Sequence, residues 1–263
     1  MRVVTVTTDF GWGSPYPSQM KAVLLRMAPG VEVVDVTHGV PAGDVVSGSY
    51  VMAVSCPWFP EGSVHVGVVD PGVGTGRAAL LLETGRGDVL IGPDNGLLVP
   101  AVEELGGLER AWRIIEGEVA DWEVSNTFHG RDVFAPAAAR YVRGEDPSRF
   151  CERIDAEVLE EPPLPEPEVW EDGCKCGVWF VDDFGNVITN ADFDDVEPPE
   201  EVLVVTPEGE ELVARRVKTY GEAEPGELVV LCSSSGHLEV AVSMGSAAEE
   251  LGVEPGDFLE LRW

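Results

Sequence analysis

Positive charge is scarce in this chain. Its 263 residues hold 17 Lys and Arg against 48 Asp and Glu, a formal net charge of −31 at pH 7. Only three of the basic residues are lysines: Lys21, Lys175 and Lys218. Binding a polyanion takes clustered basic side chains, so the balance argues against a nucleic-acid partner. Long apolar runs are missing too. None approaches the roughly 20 residues of a bilayer-spanning helix. The opening Met1-Arg2-Val3-Val4-Thr5-Val6-Thr7 reads at once as a strand, without the apolar core and cleavage site of an export signal. A cytoplasmic location and no membrane partner are the expectation. Five cysteines (Cys56, Cys151, Cys174, Cys176, Cys232) form an odd set, which argues against a disulfide framework. Cys174-Lys175-Cys176 has one residue between its sulfurs and no second pair, so the usual spacing of a structural zinc site is absent. The four histidines (His38, His65, His129, His237) include no pair at helical ligand spacing. The acidic excess itself reads as adaptation to a very salty cytoplasm, as in a halophilic archaeon, where self-repulsion is screened and the surface stays hydrated.

What is present points to two parts. Residues 1–156 alternate β-branched runs with helical stretches. Strands are expected at Val3–Thr7, Val31–Val36, Val64–Val69, Ala79–Leu82, Val89–Ile91 and Ala111–Ile114, and helices near Ser18–Met27, Asp44–Val54, Leu97–Leu105 and Val133–Arg143. This pattern predicts an α/β domain with a mainly parallel central sheet. Residues 157–172 carry four prolines among glutamates and aspartates and read as a stiff, extended linker. Residues 173–263 change to short strands with turn signals: Gly177–Val181, Val202–Thr206, Glu211–Arg216, Leu228–Leu231, Leu238–Val242 and Phe258–Leu261, with one short helix at Ser246–Leu251. They predict a smaller, mostly antiparallel, β-barrel-like domain.

Two strings concentrate chemistry. Val69-Asp70-Pro71-Gly72-Val73-Gly74-Thr75-Gly76-Arg77 sets a carboxylate and a guanidinium on either side of a glycine-rich turn. Ser125-Asn126-Thr127-Phe128-His129-Gly130-Arg131-Asp132 packs a histidine, an arginine and an aspartate into four positions behind an aromatic. Together they offer an Asp, an Arg and a His able to meet over a small reactant. The glycines match neither a dinucleotide fingerprint nor a phosphate loop, and read instead as freedom for unusual backbone angles and close approach to a ligand. Asp9, Asp70 and Asp94 each follow an expected strand, and ligands of open α/β sheets sit beyond the carboxyl ends of strands. Asp9 could take two vicinal ribose hydroxyls. Plainer readings stand beside these: Asp9 ordering a turn, Asp70 and Arg77 as a structural ion pair, His129 as a buried, satisfied histidine. A two-metal hydrolase using His129 with Asp132, Asp70 or Asp94 is the enzyme alternative, although Arg77 and Arg131 would set fixed positive charge beside the cation. In the second domain, Asp182-Asp183-Phe184-Gly185-Asn186 offers carboxylate and amide groups suited to an amino acid, or only a hairpin turn. Ser233-Ser234-Ser235-Gly236-His237-Leu238-Glu239 offers hydroxyls and amides for a carboxylate, or again only a turn.

In combination, Thr8-Asp9-Phe10-Gly11, Val69–Arg77, Gly92-Pro93-Asp94-Asn95-Gly96, Thr127–Asp132, Asp183-Phe184-Gly185-Asn186 and Ser234-Ser235-Gly236-His237-Leu238-Glu239 resemble the S-adenosylmethionine hydroxide adenosyltransferase family, relatives of the enzymes that fluorinate and chlorinate S-adenosylmethionine. The strings run in family order over nearly the whole chain. The resemblance implies a trimer with sites at subunit interfaces, and attack of water or hydroxide at the 5′ carbon of S-adenosyl-L-methionine, giving adenosine and methionine with no metal or other cofactor. It implies Asp70, Arg77 and His129 as the catalytic triad, Asp9 at the ribose, Phe128 and Glu239 at the substrate, Asp182, Asn186, Ser234 and Ser235 toward the methionine end, and methionine and adenine contacts from the second domain. Arg131 and Asp132 then read as supports. A halogenating activity is the neighbouring alternative. Its enzymes carry aromatics where Asp70 and His129 stand, and a carboxylate at 70 would repel halide. A non-catalytic nucleoside- or S-adenosylmethionine-binding protein is the alternative from another class.

Overall fold

Val3–Thr8 (β1) and Val64–Val68 (β3) are runs rich in β-branched residues, each long enough for one buried strand, and they pair in parallel inside a seven-stranded sheet. A computed structural model describes residues 3–263 of the chain; Met1 and Arg2, the first two residues of the strand expected at the start, lie outside the described residues. Two compact units are present, Met1–Pro163 and Leu164–Trp263. The division falls inside the segment expected as linker.

The first unit runs β1, α1 (Tyr16–Met27), β2 (Glu32–Thr37), α2 (Val45–Ser55), β3, β4 (Ala79–Thr84), β5 (Val89–Pro93), α3 (Val99–Glu104), β6 (Leu108–Ile114), α4 (Ala135–Val142) and β7 (Cys151–Ile154). Strand order is β2-β1-β3-β5-β4-β6-β7. The β2-β1-β3-β5 half is parallel, and β4, β6 and β7 extend it antiparallel. Side chains alternate between faces with the strand period of two. Val4, Val6, Val66, Leu81 and Ile91 pack with Met20 and Leu24 of α1 and Ala137–Ala139 of α4. Leu80, Leu82 and Leu90 pack on the other face with Met52 of α2 and Ala101 and Val102 of α3. Helices therefore cover both faces, as a parallel sheet requires. A methyl on Gly67 would lie 2.3 Å from the Met52 sulfur, so glycine there lets α2 sit down on β3.

The helix expected from Val133 begins earlier and wider than anticipated, with a π-type turn over Gly130–Phe134 before α4. Pro136 has no N–H to return to the carbonyl four residues back, and the Ala135 N–H reaches instead to the Gly130 carbonyl.

The second unit comprises β8 (Glu168–Trp170), β9 (Gly173–Val181), β10 (Val187–Asp192), α5 (Phe193–Val196), β11 (Glu201–Val205), β12 (Glu211–Arg216), β13 (Leu228–Cys232), β14 (His237–Val242), α6 (Ala247–Leu251) and β15 (Phe258–Arg262). The order β10-β14-β13-β12-β11-β15-β9 closes through a β9–β10 pairing into a seven-stranded barrel, with β8 added on β9. Only β12 and β13 run parallel among the described pairings. Closure leaves the barrel strands no open edge. Cys174 and Cys176 lie on the same face of β9, buried in the barrel core, while Lys175 between them is exposed. All five cysteines are free. No helix among the described residues is long and apolar enough to cross a membrane.

Candidate active site

Adjacent parallel strands β1 and β3 end together, with Thr8 opposite Val68, and the chain leaves them at Asp9 and Asp70. Beside β3, β5 ends at Pro93 and leads to Asp94. Three carboxylates thus stand along the carboxyl edge of the parallel half, where such sheets place their ligands. Asp9 and Asp70 line a cavity of about 310 Å³ together with Phe10, Tyr16, Val68, Val73, Thr127, Phe128, His129 and Gly130.

Arg77 ties the cavity wall together. Its Nε donates to Asp70 Oδ1 at 3.0 Å, and Nη2 donates to Asp70 Oδ2, a two-pronged pair. Nη2 also lies 2.9 Å from His129 Nδ1, and Nη1 donates to the Ala78 carbonyl at 3.3 Å. A guanidinium has five N–H donors and no acceptor. Four of its hydrogens are therefore committed, and His129 Nδ1 must be the acceptor, which places the neutral imidazole's proton on Nε2. The Phe134 ring lies under the guanidinium at 5.3 Å. Side-chain exposure is 9% at Arg77 and 5% at both Asp70 and His129, so the network is shielded from solvent.

One glycine of the 72–76 loop has the unusual backbone angle expected of it and serves a packing need as well. Gly74 has φ +74°, and a methyl there would meet the Asn126 carbonyl oxygen at 2.3 Å. The loop carrying Asp70 and Arg77 is thereby pressed against the segment carrying His129. Opposite stands a cluster of three aromatics. Phe10, Tyr16 and Phe128 meet edge to face at centroid separations of 5.1–5.7 Å. Asp9 Oδ2 accepts from the Gly43 N–H at 2.8 Å, leaving Oδ1 for a ligand.

Asp132, expected as a support, is fully buried. It accepts from Arg131 Nε and Nη2, Trp122 Nε1 and the Ser125 N–H. Burial pushes its carboxyl up, but these donors outweigh burial and hold it below the usual carboxylate range. Arg131 also lies 5.0 Å over the Phe128 ring. Asp94 accepts from the Glu160 N–H; burial lifts its carboxyl above the usual range, against the nearby charge of Arg77. Among the described residues, no three His, Cys, Asp or Glu groups converge as a metal ion would require.

Residues 4–151 match the model of the SAM hydroxide adenosyltransferase N-terminal domain, and residues 176–260 match that of its C-terminal domain. The chain belongs to the SAM hydroxide adenosyltransferase family. It is similar to proteins named (R)-S-adenosyl-L-methionine hydrolase: 42% identical to that of Salinispora tropica, over 98% of this chain and 97% of the relative, and 39% identical to that of Thermus thermophilus, over 97% and 98%. An uncharacterized conserved protein from Thermotoga maritima superimposes with a TM-score of 0.88 at 34% identity, each chain covered completely. Fluorinases are more distant relatives.

In the second unit of this family member, Asp182 Oδ2 accepts from Asn186 Nδ2 at 2.9 Å, while Oδ1 accepts from the Phe184 and Asn186 amides. Buried Glu239 accepts from the Tyr220 hydroxyl at 2.5 Å. Burial lifts the Glu239 carboxyl above its usual range and the charge of Asp182 adds to this, while the Tyr220 hydrogen bond opposes it. Ser235 meets Ser233 hydroxyl to hydroxyl at 2.9 Å, and Ser234 is exposed beside them. Sequence reading did not single out Tyr16, Phe10 or Glu116. Glu116 Oε1 lies 3.6 Å from His129 Nδ1 and 3.9 Å from Arg77 Nη1. One acid among 48 carries no spacing signal, and Tyr16 opens an ordinary helix; the Thr8–Gly11 string was the only pointer to Phe10.

Proposed function

We propose that the chain hydrolyses S-adenosyl-L-methionine to adenosine and L-methionine by attack of water at the ribose 5′ carbon. The observation that carries this reading is the shielded Asp70–Arg77–His129 network on the wall of a cavity that also holds Asp9 and three aromatic rings. A sulfonium leaves without needing a proton, so the task is to hold a weak nucleophile in line with the C5′–S bond. Water has a pKa near 15.7. Asp70, clamped on both oxygens, keeps lone pairs able to accept from that water, and His129 can donate from Nε2 to fix its position. Arg77, with four donors committed, holds the other two in register more than it meets the water. Asp9 grips the ribose hydroxyls. Asp182, Asn186, Ser234, Ser235 and Glu239 serve the methionine end, with no metal or cofactor taking part.

Incubation in ¹⁸O-labelled water tests the reading. The expected products are methionine and adenosine bearing the label at O5′, at a rate unchanged by chelator. Intact substrate after hours would instead make this a binding protein, and 5′-chloroadenosine formed in chloride would make it a halogenase. Since the hydrolase relatives are named for the (R) epimer, that epimer is the expected preference, and it should disappear first from a mixture of epimers.

We further propose a homotrimer, expected as three times the 28.2 kDa chain mass in light scattering. We propose a cytoplasmic setting, which five free thiols fit; recovery in the membrane fraction or medium would contradict it. The −31 charge fits high-salt adaptation. Thermal melts in rising KCl should give a rising Tm as self-repulsion is screened; a flat response would refute the adaptation.

A further inference from the structure

Next to Asp9 a polar chain outside the cavity lining runs from half-buried Lys21 and Asp35 to buried His38 and Thr8. Lys21 Nζ donates to Asp35 Oδ2 at 2.7 Å. Asp35 Oδ1 lies 3.1 Å from Nε2 of His38, and His38 Nδ1 lies 2.9 Å from the Thr8 hydroxyl. Thr8 Oγ1 in turn accepts from the Phe10 N–H at 3.2 Å. The Gly11 N–H donates to the His38 carbonyl at 2.7 Å, and the Trp12 ring stands edge-on to the imidazole. His38 is 1% exposed.

The directions in this chain follow from its ends. Asp35 Oδ1 is 3.1 Å from Nε2 without the geometry of a hydrogen bond, yet its charge would repel a lone pair there, so His38 carries its proton on Nε2 and presents Nδ1 as an acceptor. The Thr8 hydroxyl must then donate to Nδ1, which turns its oxygen lone pairs toward the Phe10 N–H. Both backbone anchors and the hydroxyl converge on the turn Thr8–Gly11, which holds Asp9 and Phe10 in the cavity.

We propose that His38 is a positioning residue for substrate binding: its neutral Nδ1, accepting from Thr8, sets the turn that aims the Asp9 carboxylate and the Phe10 ring. This rests on the reading that Asp9 grips the nucleoside. Losing the acceptor should weaken nucleoside binding without touching the bond-breaking step, whose groups belong to other loops. Protonation of His38 places a second N–H against the Thr8 hydroxyl, so the grip should loosen on the acid side. Asp35 and Lys21 are the charged groups facing the ring. Burial is the main influence on the imidazole and moves its titration below the usual histidine range, against the attraction of Asp35.

The side-chain amide of asparagine overlies Nδ1 of a histidine, and that of glutamine overlies Nε2. His38→Asn can thus keep the acceptor for Thr8, whereas His38→Gln and Thr8→Val remove one side of the bond. The expected result is a KM raised about tenfold for His38→Gln and Thr8→Val, one hydrogen bond's worth, with kcat nearly unchanged and His38→Asn close to wild type. Wild-type KM should also rise as pH falls through the His38 titration, and His38→Asn should lack that rise. Calorimetric Kd values for adenosine should follow the same order, and they can be read even if the protein does not turn over. Equal KM and Kd across the variants, or a fall in kcat alone, would overturn the proposal, and so would a wild-type KM flat with pH should a variant fail to fold. Adenosine bound tightly without hydrolysis would overturn the function and leave His38 standing; no nucleoside binding at all would remove both.

Discussion

Asp70→Asn is expected to slow adenosine release by roughly 10²–10⁴-fold, the usual worth of a positioned acid–base group, while leaving adenosine affinity within a few-fold of wild type. The substitution preserves shape and hardly changes volume. It removes the negative charge paired with Arg77, and it turns an –NH₂ toward a guanidinium that can only donate. One prong of the Arg77 clamp is then lost, and with it the hold that keeps Nη2 on His129 Nδ1. Arg77→Lys should cost nearly as much, because an ammonium cannot fork between a carboxylate and an imidazole. Since the three groups act as one unit, Asp70→Asn combined with His129→Ala should lose little more than the worse single variant. Single-turnover adenosine formation reads the rates, and calorimetry reads the affinity. A near-wild-type rate for Asp70→Asn, or losses that multiply in the double variant, would dismantle the unit.

Much of this arrangement was legible before any coordinates, for a physical reason. Strands of the parallel half are buried on both faces, so Val3–Thr8, Val64–Val68 and Val89–Pro93 are β-branched and apolar runs that declare themselves, and Asp9, Asp70 and Asp94 stand at their exits. The strands that escaped are β7, β8 and β10, four, three and six residues long. β7 and β8 are too short to show a strand period: β7, half exposed, is held by β6 farther back in the chain, and β8, exposed throughout, is held by β9 just across a tight turn. β10 (Val187–Asp192) is mostly buried, but Thr189, Asn190 and Asp192 interrupt its apolar run. Cys174-Lys175-Cys176 shows the converse. Its alternation is that of a half-buried strand, yet the strand expected there begins only at Gly177, four residues after β9 starts. Within the site, Asp70, Arg77 and His129 could be named because they sit in dense polar strings. Tyr16 and Glu116 join the same surroundings only through the path of the chain, and a linear sequence does not display that path.

The largest expected loss of stability comes from a residue outside the cavity lining. Asp132→Ala removes an acceptor for four hydrogen bonds at a fully buried position. Breaking a buried charge pair from one side costs about 3–5 kcal/mol. Arg131 is 35% exposed and keeps its bond to Gln19, so water can recover part of its charge and the lower end of that range applies. For a unit of this size, about 3 kcal/mol corresponds to a Tm lowered by roughly 6–12 °C in calorimetry. The same carboxylate staples Trp122 and Ser125 to the start of the π-type turn, so releasing it frees the segment that delivers Thr127, Phe128 and His129 to the cavity. Activity should therefore fall even far below the melting temperature, which a purely global loss of stability would not produce. The acid limb supplies a second check. Because the native Asp132 carboxyl is held below its ordinary value, its contribution is complete above about pH 4 and disappears as pH falls through the lowered native value. Wild type and Asp132→Ala should then converge in Tm toward low pH, while a gap that persists unchanged in acid would assign the stability to packing around the side chain and not to its charge.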